Sequence, residues 1–220
     1  MPGVCGAAEL PMDKPLLSPG YHALPDGHIA NVVTCLEMLN RPMPRPAPVH
    51  EGFALERMQA GDLGRFRRLF DAVGRDLMWF SRLLMPDDQL AAIIGDDRVE
   101  SYAFVQDGAE AGLLELDFRQ AGECELSFFG LIPEAIGKGA GRYLMNEALA
   151  RAWSKPITRL WVHTCTYDHP AALGFYQRSG FTPYAVMVEV HPDPRLTGHM
   201  PRDASPQAPL VEPKHVNGPE

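Results

Sequence analysis

Three glycines at alternate positions run directly into an amphipathic helix in the stretch LIPEAIGKGAGRYLMNEALARAW, residues 131–153. Glycine permits a close backbone approach, and a helix start presents unpaired N–H groups with a partial positive charge. No Ser or Thr follows Lys138, as a P-loop requires, and Arg142 and Leu144 stand where a dinucleotide fingerprint needs its third glycine. The run therefore predicts either a diphosphate site beside Lys138 and Arg142, or a tight turn without a ligand. The glycines are Gly137, Gly139 and Gly141.

The elements around this turn predict a mixed α/β domain. Strands are indicated by alternating or β-branched runs, helices by apolar residues at helical spacing, and a hairpin by the pair Asp107-Gly108. In chain order we expect a strand over 53–58, helices over 61–74 and 85–97, strands over 98–106, 110–119 and 122–131, a helix over 140–153, a strand over 158–164, a helix over 170–178 and a strand over 181–191.

Proline content marks the ends of this domain. The length of 220 residues is typical of one domain with appendages. We expect residues 1–27 to be a disordered segment, 28–50 an extra strand at a sheet edge followed by a proline-rich connector, 51–191 the folded domain, and 192–220 a proline-rich disordered tail.

Charge and composition argue against several functions. A net charge of −8 disfavours a nonspecific nucleic-acid binder, which needs clustered Lys and Arg. No run of about 18 apolar residues predicts a membrane span, and the N-terminus does not resemble a signal peptide. The four cysteines are scattered without a C-x-x-C motif, which favours reduced thiols in a cytoplasmic protein and no metal site.

Two landmarks together resemble the GNAT superfamily of N-acetyltransferases. Its acyl-CoA signature, V-x-P followed by Q/R-x-x-G-x-G/A, is similar to Leu131-Ile132-Pro133 and the run 136–141, although Ile136 replaces the polar residue. Its second landmark, N-x-x-A-x-x-x-Y before a Gly-Phe pair, is similar to 169–181, where His169 replaces Asn and Tyr176 is retained. The resemblance covers roughly 53–190.

The resemblance implies a GNAT-like acyl-CoA fold and a binding mode for acetyl-CoA. In that fold a central, mostly antiparallel sheet splays between its fourth and fifth strands, and helices cover both faces. The pantetheine arm pairs with the fourth strand near Phe129 and Leu131, where a backbone N–H stabilises the oxyanion. The diphosphate lies on the start of the helix. The implied cofactor-binding residues are Phe129, Leu131, Gly137, Lys138, Gly139, Ala140, Gly141, Arg142 and His169.

The resemblance also implies transfer of acetyl to a primary amine by direct attack. The amine must lose a proton. Glu125 lies six residues before Leu131, and this even spacing in a strand puts both on one face, along with Ser127 and Phe129. Glu125 is therefore the candidate base, with a solvated glutamate as the alternative reading and Glu115, Glu123 and His163 as weaker candidates. Tyr176 matches the family's general acid, and a core tyrosine is its alternative. No motif adjoins Cys124 or Cys165, which disfavours an acyl-cysteine relay.

The acceptor is the least constrained part of the prediction. Residues 74–86 lie where the family's first two helices cover the acceptor, and Trp79 and Phe80 predict either an apolar pocket or ordinary helical core. Arg82 is a candidate partner for an acceptor carboxylate. Small-molecule, peptide and protein amines stay open, a homodimer is compatible with the resemblance, and neither nucleic acid nor membrane is expected as a partner. The competing function is a non-catalytic acyl-CoA-binding or sensing module.

Overall fold

The computed structural model describes residues 16–47 and 50–213. The strands are β1 (His28–Met38), β2 (Phe53–Arg57), β3 (Val99–Gln106), β4 (Ala109–Asp117), β5 (Glu123–Leu131), β6 (Arg159–Cys165) and β7 (Thr182–Pro192). The helices are α1 (Leu63–Gly74), α2 (Ser81–Leu84), α3 (Asp87–Ile94), α4 (Ala140–Ala152) and α5 (Ala172–Ser179). Most of the predicted elements lie within a few residues of these bounds, whereas the short helix α2 was not predicted.

The seven strands form one sheet in the order β2-β3-β4-β5-β6-β1-β7. All neighbours are antiparallel except β5 and β6, which are parallel. β3 and β4 are joined at Asp107 and Gly108, both with positive φ (54° and 80°), as the hairpin signal requires. The predicted mixed α/β fold with a mostly antiparallel sheet is confirmed.

The prediction that the strand over 28–38 lies at a sheet edge is wrong. β1 is hydrogen-bonded on both sides, to β6 through pairs such as Val33 with Cys165, and to β7 through pairs such as Asn31 with Glu189. β-branched residues indicate a strand but carry no information about which neighbours it takes.

Helices cover both faces of the sheet, as expected. α1 and α3 pack on the first face around Phe66, Phe70 and Phe128, which we call the α1 face. α4 and α5 pack on the second face, the α4 face, around Leu126, Leu144 and Tyr176. Side chains of β5 and β6 alternate between these two cores, so that functional groups on adjacent strand residues reach opposite sides of the sheet.

A β-bulge in β5 changes which residues share a face. Glu115 pairs with Phe128, but the next residue of β4, Leu116, pairs with Leu126, so Ser127 is the extra residue. The alternation therefore shifts by one. Glu125 pairs with Asp117 and lies on the α1 face, whereas residues beyond the bulge such as Phe129 pack with the α4 core. The expectation that Glu125 shares a face with Phe129 and Leu131 is wrong, because it assumed a regular strand.

The parallel strands β5 and β6 separate after a short paired stretch. Their register comprises Glu123 with Arg159, Cys124 with Leu160 and Glu125 with Trp161, and no later residue of either strand is paired with the other within the described chain. Residues 126–131 of β5 thus keep β4 on one side and leave the other edge without a strand partner. We call this gap the β5–β6 opening, and it corresponds to the predicted splay between the family's fourth and fifth strands.

The C-terminal segment differs from the expected disordered tail. Residues 193–213 pack against the domain, and Met200, Ala204 and Ala208 join a buried cluster with Met78 and Phe80. Arg195 is 3% exposed, pairs with Asp193 at 2.7 Å, and donates hydrogen bonds to carbonyls of the same segment. Small residues and one internal ion pair replace the large apolar side chains that the sequence lacks. Residues 1–15 and 214–220 of the predicted disordered ends lie outside the described residues.

Candidate active site

The glycine run forms the turn that begins α4. Gly137 and Gly139 have φ of 84° and 83°, in the left-handed region that favours glycine, and Gly139 is the N-cap of α4. Ala140 is fully buried against the sheet, which fixes the helix start, while Gly141 lies at the second helical position. The first-turn N–H groups of α4 are therefore held beside the end of β5, where an anion can reach them.

Four cations surround this turn. Arg142 donates from Nη1 to Ser179 Oγ at 3.1 Å and stacks on the Phe175 ring. Burial lowers the pKa of Arg142, and the charges of Arg45 and Arg178 lower it further. Lys138 is exposed on the turn itself. Because like charges repel, this arrangement favours a bound polyanion.

Arg45 was missed by the sequence interpretation. It lies in the proline-rich connector, far from the glycine run in sequence, and its carbonyl accepts a 2.7 Å hydrogen bond from Asn146 Nδ2 on α4. Its charge is near enough to Arg142, in the first turn of α4, to lower the pKa of that residue. Only the fold brings connector and helix together, so no local signal could have identified it.

A central cavity of about 590 Å³ passes through the β5–β6 opening. Its lining includes Ile136 and Gly141 from the glycine turn, and Phe175 and Tyr176 from α5 on the α4 face. On the other side of the sheet it is lined by residues of the 76–81 segment and by residues of β1, β6 and β7. The cavity therefore joins the glycine turn to a pocket on the α1 face. We call this pocket the acceptor pocket, after the role proposed for it below.

The predicted cofactor residues lie at one end of this cavity. Phe129, Leu131, Gly141 and His169 line it, while Gly137, Lys138, Gly139, Ala140 and Arg142 lie in the adjoining turn and helix rather than in the lining. His169 accepts a hydrogen bond from the Ala171 N–H at 3.1 Å, ahead of α5.

Tyr176 lines the cavity from the α4 face. Its side chain is 7% exposed and contacts the rings of Phe129 and Phe181 edge-on, with centroids 6.1 and 5.8 Å away. Burial raises the pKa of Tyr176, with Asp168 adding to the effect, so the hydroxyl stays protonated across the physiological range. The ring packing fixes its position next to the β5–β6 opening.

Glu125 and His163 lie on the α1 face as a pair. Glu125 Oε1 is 3.7 Å from His163 Nδ1, an ion-pair distance rather than a hydrogen bond. The pKa of Glu125 is raised to about 8, chiefly by burial and then by the charges of Asp117 and Glu115, while Arg82 opposes them. His163 lines the cavity, whereas Glu125 does not. The histidine therefore stands between the carboxyl group and the cavity.

The pKa of His163 is lowered, chiefly by burial, against opposing effects from Asp168 and Glu189. A neutral imidazole at neutral pH can accept a proton. The sequence interpretation treated Glu125 as the stronger candidate and His163 as the weaker one, and the structure brings the two together in a single unit.

The other titratable candidates are occupied by contacts within the protein. Glu115 is fully buried, and it accepts hydrogen bonds from Arg82 Nη2 at 2.6 Å and from Ser101 Oγ at 2.8 Å. Glu123 pairs with Arg159 at 3.1 Å at the far end of β5. Burial raises the pKa of Cys165 to about 12, so it is a thiol at neutral pH, although it lines the cavity. These groups do not offer a free base or nucleophile at neutral pH.

Trp79 and Phe80 both line the acceptor pocket, and Phe80 also belongs to a buried cluster. A Cβ at Gly130 would lie 2.4 Å from Val73 Cγ1 and 3.1 Å from the Trp79 ring, so only glycine lets α1 and Trp79 approach β5 this closely. Arg82 does not line the cavity. It is 5% exposed, stacks on Phe128 and is held by Glu115, which leaves it without access to an acceptor carboxylate.

Four residues of the acceptor pocket carried no recognisable sequence signal. Asp168 follows β6, while Asn31, Glu189 and His191 belong to the paired strands β1 and β7. Asn31 Nδ2 donates to Glu189 Oε2 at 3.0 Å, and the His191 ring lies 4.7 Å from that of Phe80. The interior position of β1, which the sequence did not reveal, brings Asn31, Glu189 and His191 to the pocket.

Residues 16–47 and 50–213 lack two other kinds of feature, a metal-binding cluster and a membrane-spanning helix. These residues contain no group of three or more His, Cys, Asp or Glu side chains arranged to hold a metal ion. They also contain no helix with the length and apolar character needed to cross a membrane.

Three features of this chain together define the acyl-CoA-dependent acetyltransferase class. They are an open, mostly antiparallel sheet, a parallel strand pair that separates, and a glycine-rich helix start at that separation. Residues 66–181, just over half of the chain, match the family model described as Acetyltransferase (GNAT) family. The chain belongs to this family, whose enzymes use acetyl-CoA as co-substrate. Comparison with curated protein sequences gives no significant match.

Solved structures show the same fold at low sequence identity. A GCN5-related N-acetyltransferase from Sphaerobacter thermophilus superposes with a TM-score of 0.58 at 11% identity, covering 84% of this chain and 55% of that one. A putative GNAT acetyltransferase from Novosphingobium aromaticivorans gives 0.50 at 20% identity, covering 78% and 69%. The ribosomal-protein-S18-alanine N-acetyltransferase from Escherichia coli gives 0.50 at 15% identity, covering 64% and 94%. The chain thus spans little more than half of the Sphaerobacter protein.

Proposed function

We propose that this protein is an N-acetyltransferase that moves acetyl from acetyl-CoA to a primary amine. The observation that carries the proposal is the central cavity, which runs from the α4 N-terminus through the β5–β6 opening to the acceptor pocket. It has Tyr176 on one side of the sheet and the Glu125–His163 pair on the other. A thioester held in the opening has a proton donor on its sulfur side and a proton acceptor on its amine side.

The residues present fit acetyl-CoA. The first-turn amides of α4 and the cations Lys138, Arg142, Arg178 and Arg45 suit its phosphates. The unpaired edge of β5 over 126–131 suits the amides of the pantetheine arm, which can hydrogen-bond to it as an added strand would. Ile136 in place of a polar residue removes one side-chain contact but none of these backbone donors.

The chemistry assigned to the protein is proton transfer at two places. An alkylammonium has a reference pKa of about 10.4, so the amine must give up a proton before its nitrogen bonds to the thioester carbonyl carbon. His163, backed by Glu125, takes this proton. The C–S bond then breaks, and Tyr176 hydrogen-bonds to the departing thiolate and supplies its proton. The proton that the bonded nitrogen must still lose to become an amide restores the Tyr176 hydroxyl. The burial that raises the pKa of Tyr176 also disfavours the charged thiolate, so both groups shift in the same direction.

Replacing Tyr176 by Phe tests the proton donor. The ring contacts are kept and only the hydroxyl is lost, so the fold should be unaffected while kcat falls by about 10²-fold. Coupled thiol release, with the acetylated amine identified by mass spectrometry, measures this loss. Tyr143→Phe is the matched control, because the Tyr143 ring packs with Phe53 and Phe104 away from the cavity and its loss of a hydroxyl should leave kcat unchanged.

Two outcomes would contradict the proposal at different levels. An unchanged kcat for Tyr176→Phe would remove Tyr176 from the mechanism and leave the reaction intact. If acetyl-CoA binds to the protein in calorimetry but no amine in a broad panel is acetylated, the proposed function is wrong and the protein is a non-catalytic acyl-CoA-binding module.

A further inference from the structure

The wall of the acceptor pocket that faces β5 and β7 is aromatic. Trp79 lies against Phe128 with ring centroids 5.2 Å apart, and Phe80 lies against His191 at 4.7 Å. Leu77 and Met78 continue this wall, and Val33 and Val73 line the pocket from β1 and α1. Binding of an apolar group against such a wall is favourable, because it takes apolar surface of both out of water. Aromatic rings add edge and face contacts.

This wall is preformed. Met78 is held with φ of 58°, an unusual value for a residue other than glycine, and its side chain is 5% exposed in the cluster shared with the C-terminal segment. The carbonyl of Asp76 accepts hydrogen bonds from Ser205 Oγ at 3.1 Å and Gln207 Nε2 at 2.6 Å. An acceptor that matches the wall therefore binds without ordering it first.

The charged groups of the acceptor pocket are acidic. Asp168 and Glu189 both lie near enough to His163 to raise its pKa against the effect of burial, and Asn31 holds Glu189 in place. Among the described residues that line the cavity, Arg178 is the only Lys or Arg, and it lies on α5 beside Arg142 at the phosphate end. An ammonium is attracted to this pocket, whereas a carboxylate finds no cation there.

We propose that the acceptor is an arylalkylamine: a primary amine on an aromatic, apolar body that carries no carboxylate. The body lies against Trp79 and Phe80, and the amine points between Asp168 and Glu189 toward His163. Transfer forms the N–C bond of an amide and breaks the C–S bond of acetyl-CoA. The ammonium loses one proton to the His163–Glu125 pair before the attack. The thiolate then takes a proton from Tyr176, and the second proton lost by the bonded nitrogen restores the Tyr176 hydroxyl. This inference rests on the proposed function and specifies its substrate class.

Competition among four defined amines tests the inference on the unmodified protein. 2-Phenylethylamine has the proposed features, L-phenylalanine adds a carboxylate to the same body, L-phenylalaninamide adds a neutral group of similar size, and putrescine replaces the ring by a second ammonium. We expect kcat/KM for 2-phenylethylamine to exceed that for L-phenylalanine and putrescine by about tenfold or more, because a charged group buried without a partner costs free energy. L-Phenylalaninamide should be acetylated faster than L-phenylalanine.

The variant Phe80→Leu distinguishes the contribution of the aromatic wall to acceptor binding from that of the acidic groups. Phe80→Leu keeps an apolar residue of smaller area, so it should raise KM for 2-phenylethylamine several-fold and leave KM for putrescine unchanged. Preference for L-phenylalanine or putrescine in the unmodified protein would overturn this inference while leaving N-acetylation established. Absence of acetylation with all four amines and with a wider panel, despite acetyl-CoA binding, would overturn the proposed function and this inference with it.

Discussion

At the scale of single residues, the environment of Glu125 determines how the proposed base works. A carboxyl group with a pKa near 8 is largely protonated at pH 7, so it cannot accept a proton there. Glu125 becomes mainly a carboxylate only above about pH 8, and it can then stabilise a positively charged His163 at a distance of 3.7 Å. The proton-accepting unit is therefore the pair, and its two ionisations are coupled.

This environment predicts that kcat/KM rises with pH through about 8 and then levels off. The base form of the pair grows with pH. Burial raises the midpoint most, the facing carboxyl groups of Asp117 and Glu115 raise it as well, and Arg82 lowers it. Glu125→Gln should lower the plateau and remove this rise. The same amine is used with both proteins, so its own ionisation contributes equally to both profiles. Parallel profiles for the two proteins would exclude Glu125 from the proton transfer.

At the scale of secondary-structure elements, the C-terminal segment, residues 193–213, links the fold to the acceptor pocket. It lies beyond the residues that match the family model, yet it packs against Met78 and Phe80 and hydrogen-bonds to the carbonyls of Asp76 and Tyr167. These contacts hold the 76–80 segment, which contributes much of the aromatic wall. The family domain alone would leave that segment less constrained.

Removing these links should loosen the wall without affecting the helix that receives the phosphates. The double variant Ser205→Ala with Gln207→Ala deletes three hydrogen bonds, each worth about 1 kcal/mol. Amide hydrogen exchange should quicken by about tenfold or more over 77–80 and stay unchanged over 140–152. Arg202→Ala, which breaks only an exposed ion pair with Glu212, is the control and should change neither region. Unchanged exchange over 77–80 in the double variant would show that the segment does not support the wall.

The same elements show where sequence reasoning succeeded. The hairpin at Asp107-Gly108 and the glycine turn before α4 were predictable, because positive φ values at these positions restrict which residues can occupy them. The periodicity of α1 and the landmark around Tyr176 were also local signals. These features depend on interactions within a few residues of one another, so the local sequence is enough to predict them.

The errors concern interactions between distant segments. The bulge at Ser127 depends on how β5 pairs with β4, and it moved Glu125 to the opposite face from the one expected. The interior position of β1 brought Asn31 and Glu189 to the acceptor pocket. Packing of 193–213 relies on small side chains and on the buried Asp193–Arg195 pair, neither of which gives a periodic pattern.

At the scale of the whole molecule, the sheet separates two tasks. The α4 face and its cations suit the phosphates, while the α1 face presents the acceptor pocket, and the β5–β6 opening is the passage between them. Each side can therefore be changed independently. A substitution at the α4 N-terminus should alter acetyl-CoA binding and leave acceptor binding unchanged, because the aromatic wall of the acceptor pocket is held by other elements.

Calorimetric titration of acetyl-CoA into Gly141→Asp tests the central claim, that the α4 N-terminus binds the diphosphate, most directly. Aspartate is favourable in the first turn of a helix, and the nearest atom to a Cβ at Gly141 is Leu131 Cδ1 at 3.8 Å, so the variant should fold normally. Gly64→Asp places the same residue at the second position of α1 and is the matched control. We predict that Gly141→Asp weakens acetyl-CoA binding at least tenfold, by about 1.4 kcal/mol or more, while Gly64→Asp leaves it unchanged. Equal affinities in the two variants would contradict the account.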